Sequence, residues 1–178
     1  MKFLPTTKEE MKNLGWDSID VLLISGDTYL DTSYNGSALI GKWLVEHGFK
    51  VGIIAQPEVD IPDDITRLGE PNLFFAVSGG CVDSMVANYT ATKKRRQQDD
   101  FTPGGVNNKR PDRAVLVYSN MIRRFFKGTT KKIVISGIES SLRRITHYDY
   151  WTNKLRKPIL FDAKADILSY GMGEMSML

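Results

Sequence analysis

Cysteine is nearly absent from this chain of 178 residues, which contains one, Cys81. A single thiol excludes an internal disulfide and any cysteine-clustered zinc or iron–sulfur site built by this chain alone. The sequence also lacks an apolar run of about 18 residues, the length that a membrane-spanning helix needs. Its first residues contain no apolar core typical of a signal peptide. We therefore expect a cytoplasmic protein without a membrane segment.

A strong charge imbalance is also lacking. There are 24 Lys and Arg residues and 21 Asp and Glu residues, so the net charge of +3 does not indicate a polyanionic partner by itself. The hydrophobic content of 42% and the charged content of 25% are typical of a soluble globular protein. We expect a single α/β domain over residues 1–178, in which residues 1–18 form an N-terminal extension.

Two common phosphate-binding motifs are missing as well. No G-x-G-x-x-G sequence follows the first predicted strand, and no Walker sequence occurs anywhere in the chain. The ordinary dinucleotide-binding and P-loop classes are therefore excluded.

Five short apolar runs are present, and they alternate with segments of helical spacing. The predicted strands cover residues 20–26, 50–56, 72–80, 131–136 and 165–170. The predicted helices cover about 8–14, 36–47, 63–68, 82–93 and 114–126, and residues 99–112 form a long loop. Continuous apolar runs are typical of strands covered on both faces. The pattern predicts a doubly wound, mostly parallel five-stranded sheet in a flavodoxin-like three-layer sandwich.

Small residues follow four of these strands, in Ser25-Gly26-Asp27, Ser78-Gly79-Gly80, Ser136-Gly137 and Gly171-Met-Gly-Glu174. Glycine lets the backbone turn sharply and lets a ligand or another domain approach closely. Because the carboxyl ends of parallel strands share one edge, we expect a binding crevice there. The alternative is that tight turns alone require these glycines.

The first of these loops carries two carboxylates, Asp27 and Asp31, before the helix predicted to begin near Gly36. The free N–H groups of that helix could hold an anion. The alternative is that Asp31 only caps the turn.

The densest group of polar side chains follows the fourth predicted strand. Its candidate ligand-binding residues are Glu139, Ser140, Ser141, Arg143, Arg144, His147 and Asp149. We expect one of the two arginines to pair with Glu139, and a guanidinium fork suits a carboxylate or a phosphate. Packing of this stretch against another domain is the alternative, and His147 is either a proton carrier or a hydrogen-bonded interface residue. No catalytic residue and no metal ligand is predicted.

The basic run Lys93–Arg96 does not lead us to expect a nucleic-acid partner. Cations at the carboxyl end of a predicted helix complement its dipole. Asp99 and Asp100 follow at once, and the run contains no aromatic residue on which a base could stack.

Several longer stretches resemble the N-terminal region of the YgiQ-type radical SAM proteins, nearly from end to end. They are Asn13-Leu-Gly-Trp-Asp17, Gly52-Ile-Ile-Ala-Gln-Pro57, Arg67-Leu-Gly-Glu-Pro-Asn-Leu-Phe-Phe75, Lys109-Arg-Pro-Asp-Arg113, Gly137-Ile-Glu-Ser-Ser-Leu-Arg-Arg144 and His147-Tyr-Asp-Tyr-Trp151. The resemblance implies a cobalamin-binding-like α/β domain ahead of a radical SAM barrel. In that family a Cys-x3-Cys-x2-Cys motif of the barrel holds a 4Fe-4S cluster, which cleaves S-adenosylmethionine.

This sequence departs from the family pattern because it lacks those three cysteines. The resemblance therefore implies a truncated, non-catalytic domain that supports or docks the barrel, in the same chain or as a separate one. Neither the cluster nor S-adenosylmethionine is expected in this chain. The sequence stops where a covering helix is expected, so a partly bare sheet face predicts a partner or self-association.

Cobalamin is not expected either. The loop Asp31-Thr-Ser-Tyr-Asn-Gly36 has Ser33 where the motif Asp-x-His-x-x-Gly has its cobalt-ligating histidine, and a hydroxyl is a poor cobalt ligand. The alternative function is a stand-alone domain that binds an anionic, nucleotide-like or cobalamin-like ligand at the sheet edge.

Overall fold

A computed structural model describes residues 3–29 and 36–178 of the chain, so Asp31 and its loop lie outside the described residues. The strands are β1 (Val21–Ser25), β2 (Val51–Ala55), β3 (Phe74–Ser78), β4 (Lys132–Ser136), β5 (His147–Asp149), β6 (Lys154–Arg156) and β7 (Ile167–Leu168). The helices are α1 (Lys8–Asn13), α2 (Gly36–Glu46), α3 (Pro62–Thr66), α4 (Ser84–Asn88), α5 (Ala114–Phe125), α6 (Gly137–Leu142) and α7 (Ile159–Asp162), and Pro103–Gly105 form a 3-10 turn.

Five of these strands form one parallel sheet in the order β2-β1-β3-β4-β7. The predicted α/β class with a five-stranded parallel sheet is therefore confirmed. The chain runs outward from β1 to β2 and then returns to place β3 on the other side of β1. Ligands of open α/β sheets bind outside the carboxyl ends of the strands at such a reversal point.

The two faces of the sheet are covered to different extents. One face carries a cluster of buried side chains from α3, α5 and α7 packed on strand residues such as Phe75 and Ile135. The other face is covered mainly by α2, with Leu4 from the N-terminal segment and Met177 from the C-terminal segment. This second face has fewer helices over it.

The predicted helix over residues 82–93 is wrong beyond Asn88. Tyr89 is extended and forms an isolated antiparallel bridge with Arg95, and Lys93 has a φ of 63° in the turn between them. The Thr90 N–H donates to the Lys94 carbonyl at 2.8 Å and closes this turn. The basic run therefore lies on a short hairpin-like loop, and it does not end a helix.

One other local prediction also needs correction, and one element was not predicted. The fifth strand of the sheet is only Ile167–Leu168, within the predicted residues 165–170. The stretch after β4 begins with α6, and it continues into the antiparallel hairpin β5–β6, which no periodicity predicts at three residues per strand. Among the described residues, no helix has both the length and the apolar character needed to cross a membrane.

Candidate functional site

Three serines end neighbouring strands at the carboxyl edge of the sheet. Ser25 of β1, Ser78 of β3 and Ser136 of β4 are in register across the three strands. The Asp27 N–H donates to Ser25 Oγ at 3.1 Å, and the Gly80 N–H donates to Ser78 Oγ at 3.2 Å. Each of these two hydroxyls shapes the turn that follows its own strand, as serine does in short polar turns.

The glycines at this edge make room for other parts of the protein. A side chain at Gly26 would overlap the carbonyl group of Gly79, so the β1 and β3 loops touch through their backbones. Gly80 has a φ of +108°, and a side chain there would overlap Asp27 and Arg110. These glycines do allow a close approach, as the sequence indicates. At Gly26, Gly79 and Gly80, however, the approaching group is another part of the same chain rather than a ligand.

Arg110 crosses the edge from the long loop and is fully buried. Its guanidinium lies 2.8 Å from the Asp27 carboxylate and 3.3 Å from the Asp99 carboxylate, and it donates to the Gly79 carbonyl at 2.9 Å. Burying a charge is tolerable when partners and hydrogen bonds surround it. Two carboxylates and a carbonyl around one guanidinium satisfy this condition, so Arg110 fixes the loop to β1 and β3.

Gln56 ties the same loop to β1 from the other side. Its amide nitrogen donates to the Gly26 carbonyl at 2.9 Å and to Thr102 Oγ1 at 2.7 Å. Thr102 in turn donates to Asp99 at 2.8 Å. The predicted loop 99–112 is therefore anchored in a buried polar network, with only its outer residues exposed.

Glu139 belongs to α6 and is 1% exposed, and its carboxylate lies against the starts of two other helices, α4 and α5. Its carboxylate accepts hydrogen bonds from the Ser84 N–H at 3.0 Å and from the Val115 N–H at 3.2 Å. A carboxylate at a helix start satisfies N–H groups that have no partner within the helix. Burial, with the negative charge of Asp83 nearby, raises the pKa of Glu139. Its role is to join α4 and α5 to the end of β4.

The predicted pairing of Glu139 with Arg143 or Arg144 is wrong. Arg143 forms its ion pair with Asp83, which also caps α4 by accepting from the Met85 N–H at 2.9 Å. Arg144 donates to the Ser141 carbonyl at 2.6 Å. The Glu139 carboxylate is directed to the starts of α4 and α5, where it accepts from the Ser84 and Val115 N–H groups.

The hairpin is held by another ion pair. Arg113 lies 2.6 Å from the Asp149 carboxylate, which is 2% exposed, and Arg156 lies 3.6 Å from the same group. His147 Nδ1 lies 3.2 Å from the Ile145 carbonyl, which is a local contact within the chain. These residues stabilise the fold around β5 and β6.

An apolar crevice of about 440 Å³ lies beside this edge, on the face that α2 covers. Its floor is formed by Leu23 of β1 with Ala76 and Val77 of β3. Its walls come from α2, α6 and the C-terminal segment, through Leu39, Ile40, Ile138, Met172 and Met177. The rim is exposed, because Leu39, Ile138 and Met172 keep 55%, 41% and 83% of their surface accessible.

The polar groups of the crevice are few. Asp27, Ser37, Ser78, Cys81, Ser136 and Glu174 line it, and no Lys, Arg or His is among its described lining residues. Burial and the adjacent Asp27 carboxylate raise the pKa of the Cys81 thiol to about 12. The thiol is therefore protonated at neutral pH, and it is a poor nucleophile and metal ligand in that state.

The structure divides the predicted site residues by their surroundings. Asp27, Gly36, Ser78, Gly80 and Gly137 line the crevice. Gly26 and Gly79 lie at close contacts within the protein. Arg143 and Asp149 form ion pairs, the Glu139 carboxylate accepts from backbone N–H groups, and Ser140 is buried. Ser141, Arg144 and His147 make local backbone contacts, and Asp31 lies outside the described residues.

Sequence reasoning missed Arg110, Gln56 and Cys81 as members of this edge. Arg110 stands in a loop between Lys109 and Pro111, and nothing in that pattern distinguishes a buried arginine from an exposed one. Gln56 and Cys81 each lie at the end of a predicted strand or just after one, and this position is the weak signal that was available for them.

The fold and the site define a class of protein, a parallel α/β domain with a single five-stranded sheet. Buried ion pairs fill the carboxyl edge of this sheet, and an apolar crevice lies beside that edge. The chain belongs to the Radical SAM N-terminal family, whose profile matches residues 3–178. A UPF0313 protein of Fusobacterium nucleatum is 98% identical over 178 residues, which cover 100% of this chain and 31% of that protein.

More distant UPF0313 proteins match over the same region. Those of Thermotoga maritima and Methanocaldococcus jannaschii are 58% and 56% identical over 176 residues, covering 99% of this chain and 31% and 29% of those proteins. The chain therefore spans about a third of the length of these relatives. No solved structure matches the chain.

Proposed function

We propose that this chain is a non-catalytic N-terminal domain of a longer radical SAM protein, and that its apolar crevice receives polypeptide from the remainder of that protein. The observation that carries the proposal is the crevice with its exposed rim of Leu39, Ile138 and Met172. Exposed apolar surface grouped around a concave site is typical of an interaction surface.

The non-catalytic part of the proposal rests on the state of the polar residues. The charged side chains at the sheet edge, Asp27, Asp99 and Arg110, form one buried ion cluster. The Cys81 thiol, with a pKa raised to about 12, is protonated at neutral pH. None of these groups is prepared to act as a general base or a nucleophile.

The iron–sulfur cluster that the family resemblance implies does not fit this chain. Such a cluster is held by several cysteine thiolates, and the sequence contains Cys81 alone. Within residues 3–29 and 36–178, no three His, Cys, Asp or Glu side chains converge as a metal site. We infer that any radical chemistry of the longer relatives is carried out by their remaining part.

The position of the C-terminal segment supports a polypeptide as the occupant. Met172 and Gly173 line the crevice directly, and Met177 is buried against the same sheet face. In the relatives, the chain that continues from this segment begins beside the crevice. The apolar rim is therefore close in sequence to that continuing chain and available for it to pack on.

Aspartate substitutions on the rim test this proposal. Ile138→Asp with Met172→Asp should weaken packing of the domain on the rest of the full-length Fusobacterium relative, because a carboxylate in an apolar interface is costly. Leu73→Asp is the matched control, since Leu73 is 46% exposed at the opposite end of β3. Limited proteolysis of the full-length protein should then release the domain from the double variant faster than from the control.

The same substitutions in the 178-residue chain serve as a second control. Because the rim is exposed in this chain, the free energy of unfolding of the 178-residue variant, measured in urea, should change by no more than about 0.5 kcal/mol per site. Equal proteolysis of the rim variant and the Leu73→Asp variant of the full-length protein would contradict the proposal.

A small ligand in the crevice is the second candidate. The lining places two hydroxyls, Ser78 and Ser136, and two carboxylates, Asp27 and Glu174, around an apolar floor at the reversal point of the sheet. Asp27 is already paired with Arg110, and the described lining contains no Lys, Arg or His, so the crevice favours a neutral ligand over an anionic, nucleotide-like one. A thermal-shift series with nucleosides, nucleotides and cobalamins tests this candidate, since a true ligand raises the melting temperature with its concentration.

A further inference from the structure

A cluster of aromatic and basic side chains forms where the β5–β6 hairpin meets the loop after α4. The Tyr89 and Trp151 rings lie 5.2 Å apart, and the Trp151 and Tyr150 rings lie 5.5 Å apart. Lys93 Nζ lies 4.6 Å from the centre of the Tyr150 ring, and the Arg95 guanidinium lies 5.7 Å from that of Tyr89. We call this surface the aromatic-basic face.

The face is formed by parts of the chain about 60 residues apart, and the contact between them is direct. Tyr150 Oη donates to the Ala91 carbonyl at 2.8 Å, across a separation of 59 residues. The basic run itself contains no aromatic residue, which was one of the grounds for not expecting nucleic acid. The folded chain supplies those residues from the hairpin, so that ground does not hold.

Exposed charge on this face is positive. Residues 84–98 contain four consecutive cations and no acid. Lys93 and Lys94 on the loop are exposed and have no ion pair among the described residues. The nearby acids are engaged, since Asp112 lies 3.7 Å from Arg95 and Asp149 binds Arg113 and Arg156.

The rings themselves are accessible. Tyr148 and Tyr150 keep 58% and 48% of their surface exposed, and Trp151 is partly exposed beside them. Exposed aromatic rings next to lysines are what proteins use to bind single-stranded nucleic acid, because unpaired bases stack on the rings and phosphates contact the cations. Paired bases within a duplex do not present their faces in this way.

We propose that the aromatic-basic face binds single-stranded nucleic acid, with bases stacked on Tyr148 and Tyr150 and phosphates contacted by Lys93 and Lys94. This binding is independent of the crevice and of the docking function proposed above. An acidic protein surface would also contact the lysines, so poly-glutamate serves as the competitor that separates such a partner from single-stranded nucleic acid.

Fluorescence anisotropy of labelled oligo-uridine and oligo-thymidine of about 16 nucleotides tests the proposal with the 178-residue chain. Binding should weaken steeply between about 50 and 200 mM salt, as expected when phosphates are neutralised. Trp151 fluorescence should be quenched on binding. A duplex of the same length and poly-glutamate should compete at least about tenfold less well.

Two kinds of substitution separate stacking from charge. Tyr148→Ala and Tyr150→Ala should each reduce affinity by about tenfold without changing the salt dependence, and Tyr150→Phe should retain binding because it keeps the ring. Lys93→Glu with Lys94→Glu should lower the slope of log affinity against log salt by at least about 1. Lys42→Glu with Lys127→Glu is the charge-matched control, since both lysines are exposed and lie outside this face.

Circular dichroism verifies that each variant is folded. If a tyrosine variant does not fold, the variant at the exposed lysines Lys93 and Lys94 still tests the proposal. Absence of binding at low salt overturns the proposal. It is also overturned if poly-glutamate binds as tightly as the oligonucleotides, which would indicate an acidic protein partner, or if the control pair loses as much affinity as Lys93→Glu with Lys94→Glu.

Discussion

At the scale of single residues, Arg110 has no exposed side-chain surface and lies between the carboxylates of Asp27 and Asp99. Its position explains why glycine stands at residue 80, where any side chain would overlap the guanidinium. A surface arginine with one exposed partner contributes little to stability, whereas removal of one member of a buried ion cluster leaves charges without compensation.

We expect Arg110→Met to lower the free energy of unfolding by about 3–5 kcal/mol, because Asp27 and Asp99 would stay buried without their cation. Urea unfolding followed by circular dichroism measures the change. Arg124→Met is the matched control, since Arg124 lies 3.8 Å from Asp60 in an exposed pair and should cost less than about 1 kcal/mol. Equal effects of the two substitutions would show that the buried cluster does not stabilise the edge.

At the scale of elements, the hairpin β5–β6 depends on Asp149. Burial acts to raise the pKa of Asp149, but the hydrogen bonds from Arg113 and Thr152 outweigh burial and lower this pKa from 3.8 to about 2. A carboxyl group whose pKa is lower in the folded state stabilises the fold above the unfolded pKa. That contribution is lost as the pH falls through the folded pKa.

From the size of its pKa shift, we expect Asp149 to contribute about 2 kcal/mol to stability at neutral pH. This contribution should be lost as the pH falls from about 4 to about 2. Asp149→Asn should remove that part of the pH dependence. Urea unfolding of both proteins across this range measures the difference. Glu139, whose pKa burial raises, has the opposite pH dependence, and its contribution cancels in the comparison.

An Asp149→Asn variant that loses stability in parallel with the unsubstituted chain at every pH would contradict this assignment. Asp100→Asn, at an exposed carboxylate of the loop, is the control and should leave the profile unchanged.

The elements also show how far the sequence predicts the structure. The strands and α5 are long apolar or amphipathic runs, so their local pattern agrees with the fold, and they were predicted to within a few residues. Residues 89–93 were mistaken for the end of a helix because alanine and lysine favour helices, while the bridge between Tyr89 and Arg95 depends on tertiary contacts. Three-residue strands such as β5 carry no period to recognise.

The candidate site was only partly predictable for a related reason. The glycines after the strands mark the carboxyl edge, beside which the apolar crevice lies, since parallel topology brings strand ends together. Whether a polar residue faces the crevice or the protein interior depends on the direction of each βα turn. That direction places Glu139 against two helix starts and brings in Arg110 from a loop 31 residues after Gly79.

At the scale of the whole molecule, the sheet has one well-covered face and one face where α2 and the C-terminal segment leave an apolar crevice between them. The related proteins extend over about three times the length of this chain. The apolar crevice, which residues 171–174 help to line, is suited to the docking that we propose for another part of such a longer protein.

Hydrogen exchange tests this central claim most directly, by comparing the 178-residue chain with the full-length Fusobacterium relative. We predict slower exchange in the full-length protein for the amides of Leu39, Ile40, Ile138 and residues 171–174, which line the crevice, because docked polypeptide excludes solvent. Amides at Leu73 and Asn72, at the other end of β3, should exchange alike in both proteins. Equal exchange at the crevice in the two proteins would contradict the account.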